Sequence, residues 1–123
     1  MHAVVSKFES PAEEYKSRTE LNLHSLIVGN ESHAIFFARA DGNELNSIGI
    51  FDGDLLVVNR AATLQNESVA VVLVEGEFLV RVYDETKKLL HSDDSEPIPF
   101  DNQVILEGIV QQSVRCHCKL SNF

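Results

Sequence analysis

The stretch Val69-Ala-Val-Val-Leu-Val74, Glu75-Gly76, Glu77-Phe-Leu-Val-Arg-Val-Tyr83 decides the fold. Two runs rich in β-branched residues flank a two-residue turn with glycine second, which is hairpin chemistry. In the second run Phe78, Val80 and Val82 share one face, while Leu79, Arg81 and Tyr83 share the other. Upstream, residues 33–39 form a short β-rich run closed by the turn signal Asp41-Gly42-Asn43. Residues 48–51 lead into a second tight turn, Asp52-Gly53-Asp54, and residues 55–58 read as a buried strand. Downstream, residues 87–91 give a further short strand, and Pro97-Ile98-Pro99 an extended edge or turn. Residues 104–109 and 110–120 close the chain as two more strands. Near the N-terminus, Ser10-Pro11-Ala12-Glu13 carries a cap, a first-turn proline and a capping-box acid, so a short helix starts there. A second short element covers residues 21–28, ended by Gly29-Asn30. The expectation is a mainly β protein with an extended arm at residues 1–9 and a single domain over residues 10–123.

Composition agrees with one domain. The chain has 123 residues, of which 44% are hydrophobic, enough for a sizeable core and too many for a disordered tail. Lys and Arg number 10 against 19 Asp and Glu, a formal charge of −9. A chain this acidic is repelled by a phosphate backbone, so direct nucleic-acid binding is not expected. The longest unbroken apolar run, residues 69–74, is far short of the ~20 residues a membrane span needs, and residues 1–7 lack an apolar stretch of signal-peptide length. A cytoplasmic location is expected, in keeping with only two cysteines.

Candidate chemistry is sparse. The five histidines, His2, His24, His33, His91 and His117, are dispersed and match no HExxH-type spacing. Cys116-His117-Cys118 is the densest ligand cluster. On a strand the two sulfurs share a face and the imidazole points the other way, poor geometry for one tetrahedral ion. The expectation is a final strand with both cysteines on its inner face, and no metal or cofactor. No glycine pattern cradles a phosphate, and the acidic pairs Glu13-Glu14, Asp52/Asp54 and Asp93-Asp94 are explained by a helix start, a turn and a loop.

Five segments together carry a resemblance. They are Phe8-Glu-Ser-Pro-Ala-Glu-Glu-Tyr15, Glu20-Leu21-Asn22, Arg39-Ala-Asp-Gly42, Gly49-Ile-Phe-Asp-Gly-Asp-Leu-Leu-Val-Val58 and Val74-Glu-Gly-Glu-Phe78. In this respect the chain resembles the LexA/UmuD family of self-cleaving serine–lysine peptidases, from Phe8 to about Lys119. The resemblance implies a fold of curled β-sheets with a short N-terminal helix. It also marks two positions. The family nucleophile stands in Gly-Asp-Ser-Met, eight residues before the first Asp of Asp-Gly-Asp, and here that residue is Glu44. The family base is a lysine three residues after the Phe of Glu-Phe, and here it is Arg81. Glu44 has no attackable hydroxyl, and arginine stays protonated where the dyad needs a neutral amine. The opposite signs lead to the expectation of a Glu44–Arg81 salt bridge within ~4 Å. Ser47, three residues beyond Glu44, is the one candidate for a displaced nucleophile.

The bond that this family cleaves, Cys-Gly or Ala-Gly before the Phe-x-Ser-Pro-Ala segment, has no counterpart in Ala3-Val4-Val5-Ser6-Lys7, and no glycine precedes Gly29. The chain begins about where a processed, UmuD′-like form begins. By resemblance, its expected role is a catalytically inactive homodimer that joins a UmuC-type Y-family polymerase in translesion synthesis during the SOS response, with a RecA filament as a further partner. The alternatives are a dimerisation partner of LexA-like or phage-type repressors, and a self-cleaving peptidase with a rearranged site. The dimer interface is expected along residues 104–114, with Val104, Leu106, Ile109, Val110 and Val114 as its apolar residues.

Overall fold

A computed structural model describes residues 2–6 and 34–118. Eight strands follow in chain order: β1 (His2–Ser6), β2 (Ile35–Asp41), β3 (Leu55–Asn59), β4 (Val69–Val74), β5 (Glu77–Asp84), β6 (Leu89–His91), β7 (Ile98–Pro99) and β8 (Ile105–Val114). The helix expected from Ser10 and the element over residues 21–28 lie outside the described residues. Among the described residues no helix is long and apolar enough to cross a membrane.

The β4–β5 hairpin has the expected register, Val74 opposite Glu77 and Val69 opposite Val82. Its turn residues Glu75 and Gly76 both take positive φ, 50° and 82°, the backbone that two-residue hairpin turns require. All strand pairs are antiparallel, in the order β1-β2-β3-β8-β4-β5-β6-β7. A further pairing of β1 with β5, His2 opposite Leu79, closes the first six strands of that order into a ring. The result is a small barrel from which the β6–β7 arm projects.

Two cores follow from the strand alternation. Phe36, Ala38, Ala40, Leu56, Val58, Val71 and Val80 point inward and are joined by Leu45 and Ile50 from the loop after β2. Ala70, Val72, Leu79, Tyr83 and Ile109 point outward and pack with Leu90 of the arm. The rings of Tyr83 and Phe100 meet edge to face there, 5.1 Å apart. The two faces read along residues 78–83 are thus the inside of the barrel and the seat of the arm.

Two sequence expectations need correction. Residues 104–120 are not two strands. One strand, β8, pairs with β4 through residues 105–109 and with β3 through residues 109–114. Its register shifts on each side, skipping Glu107 and Gln111. These bulges bend β8 around the barrel and break the alternation that would have marked it as continuous. Ahead of the turn at Asp52-Gly53-Asp54, residues 46–48 form a single 3-10 turn, which Gly49 closes in a left-handed conformation. Finally, Cys116 and Cys118 lie beyond the end of β8 and are exposed, since ladder pairing stops at Val114 opposite Leu55.

Candidate functional site

Glu44 comes from the loop after β2 and Arg81 from strand β5. Arg81 is carried by β5, buried on the outward face between Leu79 and Tyr83, and its Nη1 donates to the carbonyl of Val80 at 2.9 Å. Burial draws the guanidinium pKa down, and the charges of Glu44 and Asp94 oppose that. Glu44 lies in the loop after β2, next to Gly42 with φ of 111°. A Cβ at position 42 would come within 2.6 Å of the Glu44 carboxylate, so the glycine both allows the turn and leaves room for the acid. Burial acts to raise the Glu44 pKa, but hydrogen bonds to its carboxylate, the N-terminal ammonium charge and, least, the Arg81 charge leave it below the usual glutamate value. Each group registers the other's charge, but the salt bridge expected between them is not among the ion pairs of the described residues.

The loop after β6 latches onto this site. The Asp93 N–H donates to the Glu44 carbonyl at 2.7 Å. The Asp93 carboxylate in turn accepts from the Ser47 N–H at 3.0 Å and from the Ser47 hydroxyl. Those bonds hold the Asp93 carboxyl below its ordinary pKa. Ser47 is thus partnered by an acceptor-only acid. A displaced nucleophile would need a neutral amine or imidazole at that position to take its proton.

The turn before β3 holds a second polar centre that the sequence did not single out. Asp54 is 2% exposed. Its carboxylate accepts from the Phe51 N–H at 2.9 Å and from Arg115 through both Nε, 3.1 Å, and Nη2, 3.3 Å. Nη2 also donates to the Gly49 carbonyl at 3.1 Å, and the guanidinium lies 4.2 Å over the Phe51 ring. Burial pushes the Asp54 pKa up, but these hydrogen bonds and the Arg115 charge more than offset it, so the carboxyl titrates below its usual range. The fork ties the end of β8 to the loop that carries Glu44. Asp54 was legible as a turn residue only; Arg115, sixty-one positions away, gave no local signal.

Of the apolar residues expected at a dimer interface, Ile109 is buried in the outer core, against which Val104 and Leu106 pack. Val110 packs against the inner core, and Val114 is exposed. A groove of about 500 Å³ lies beside this region, lined by Ile48, Ile50, Val69, Val82, Val110 and Gln112 among others. Along it, residues 110–114 of β8 pair, among the described residues, with β3 alone, because β4 leaves the ladder at Ile109.

The small antiparallel barrel, with Glu44 in the loop after β2 and Arg81 on β5, is a mainly β domain. The chain matches the Peptidase S24-like family model over residues 4–111 and belongs to that family. It is similar to Protein ImpA of Salmonella typhimurium, with 40% identity over 74 residues, 60% of this chain and 50% of that protein. It is also similar to Protein MucA of Escherichia coli, 37% identical over 81 residues, 66% of this chain and 54% of that protein. A LexA repressor of Glaesserella parasuis is 32% identical over 89 residues, 67% of this chain and 43% of the repressor. The chain spans about half the length of the curated relatives it matches.

Proposed function

We propose that the chain is a catalytically inactive, UmuD′-like accessory subunit of an error-prone Y-family polymerase in the SOS response. The observation that carries this reading is the charge-complementary occupation of the two dyad positions. Glu44 offers no hydroxyl, and Arg81 cannot become the neutral base that attack on a peptide carbonyl requires. Opposite charges thus stand where the nucleophile and the base would be, and each bears on the other's titration. With peptidase work set aside, what the molecule offers is surface. The edge at residues 110–114, which no described strand covers on that side, lies beside an apolar groove and suits addition of a strand from a second copy. Val114, one of the residues expected at the interface, lies on that edge, 36% exposed. The net charge of −9 leaves DNA contact to the partner polymerase, and a RecA filament would be a further protein partner.

The similarity to a LexA repressor favours a second reading, a dimerisation partner of LexA-like or phage-type repressors. Light scattering on a sizing column separates the two. The expected result is a dimer alone that shifts into a complex of two copies with one Y-family polymerase from the same host. A dimer that ignores the polymerase and co-elutes with a repressor supports the second reading, and a monomer in every mixture overturns both. In the same preparation, incubation with activated RecA and a LexA-like substrate should release no fragment. Cleavage that disappears in Ser47→Ala would establish the rearranged peptidase instead.

A further inference from the structure

We infer that Cys116 and Cys118 form a reversible dithiol–disulfide site at the exit of the barrel. Both thiols are unbridged and exposed. They lie past the last ladder position of β8, where the chain bends at His117 and Cys118. This placement removes the objection that holds for a strand. On extended backbone, residues two apart separate their Cα atoms by ~6.5–7 Å, the upper limit of what a disulfide spans, and a bend shortens that separation. The segment also leaves from a fixed point, because Arg115 is forked onto Asp54 and bonded to the Gly49 carbonyl. Among the described residues no third ligand joins the pair to make a metal centre. The sequence holds two cysteines, so the one intramolecular disulfide partner of each accessible thiol is the other.

The chemistry is thiol–disulfide exchange with a low-molecular-weight disulfide such as oxidised glutathione. One cysteine thiolate attacks the reagent's S–S bond, forming a mixed disulfide and expelling one glutathione thiolate. The second cysteine thiolate attacks the protein-side sulfur, closing the Cys116–Cys118 bond and expelling the other. The two protons lost by the cysteines end on the two glutathiones, and two electrons pass from the protein to the reagent. Proximity makes the second step intramolecular, so the ring outcompetes a second mixed disulfide. The site uses neither Glu44 nor Arg81 and stands whether or not the chain is a polymerase subunit.

The 123-residue chain, titrated with mixtures of reduced and oxidised glutathione, tests this by intact mass and by the count of thiols reactive with Ellman's reagent. The expected outcome is joint loss of both reactive thiols, a mass lower by two hydrogens, a single monomer band on a non-reducing gel, and full reversal by excess reduced glutathione. Cys116→Ser and Cys118→Ser should instead each stop at a mixed disulfide carrying one glutathione. Accumulation of a wild-type species with glutathione on both sulfurs, or a covalent dimer that outweighs the ring, would overturn the inference. So would retention of both thiols under mixtures that oxidise free dithiothreitol.

Discussion

Asp54 is the residue on which most converges, since one buried carboxylate joins the turn before β3, the Phe51 backbone and the end of β8. Asp54→Ala would leave the Phe51 N–H and the Arg115 fork without their acceptor. Because half of Arg115 faces solvent, the expected loss is modest for a buried pair, about 2 kcal/mol by urea unfolding at pH 7. The sign of the pH dependence follows from the depressed Asp54 pKa. Its contribution is present above the ordinary aspartate pKa and is lost as pH falls through the lower, folded-state value. Wild-type stability should therefore drop as pH falls below ~4, and Arg115→Ala should flatten that acid limb while lowering stability at neutral pH. An acid limb unchanged in Arg115→Ala would show that Arg115 does not set the Asp54 titration. Arginine at 115 could not have been chosen from the sequence, where nothing distinguishes it from nine other basic residues. Its partner is fixed only when β3 and β8 pair.

At the scale of single elements, the hairpin and β8 show opposite degrees of legibility. Alternation and the Glu-Gly turn made β4 and β5 readable to within a residue, because both strands are regular and their turn is local. The hairpin is nevertheless imperfect, for Glu75 holds a left-handed φ of 50° that a branched or long side chain disfavours. Glu75→Asn should raise stability by about 0.5–1 kcal/mol, visible as a higher melting temperature. In β8 the two bulges reset the side-chain period twice, so a pattern of period two reads as two strands. Gly108 lies between them, where a Cβ would come within 2.7 Å of Val58 Cγ1 and 3.1 Å of the Asn59 carbonyl. Gly108→Ala should therefore cost about 1–3 kcal/mol with the fold retained, as judged by circular dichroism and denaturant midpoint. A neutral Gly108→Ala would mean that β3 and β8 can move apart freely. The exposed cysteines were misread for a related reason. Composition suggests continuation of an apolar strand, whereas the ladder partner β3 has already ended at Leu55.

For the molecule as a whole, the family and its β architecture were legible because the motifs that carry them, Asp-Gly-Asp with its following aliphatics and the Glu-Gly-Glu-Phe hairpin, are local in sequence. Barrel closure was not, since it depends on His2 meeting Leu79 across the whole chain. Residues 1–9 gave no periodicity to signal it, and read simply as an extended arm. That closure has a consequence for how the protein breathes. Among the described strands β1 alone hydrogen-bonds to both β2 and β5, so the barrel opens like a zip along the seam that β1 closes. In native-state hydrogen exchange, the amides of β1 and the facing edge of β2 should exchange together and first. The β4–β5 ladder should follow only with global unfolding. A bulky group fused ahead of residue 2 would then act as a wedge in that seam, speeding exchange in β2 with no substitution anywhere in the barrel.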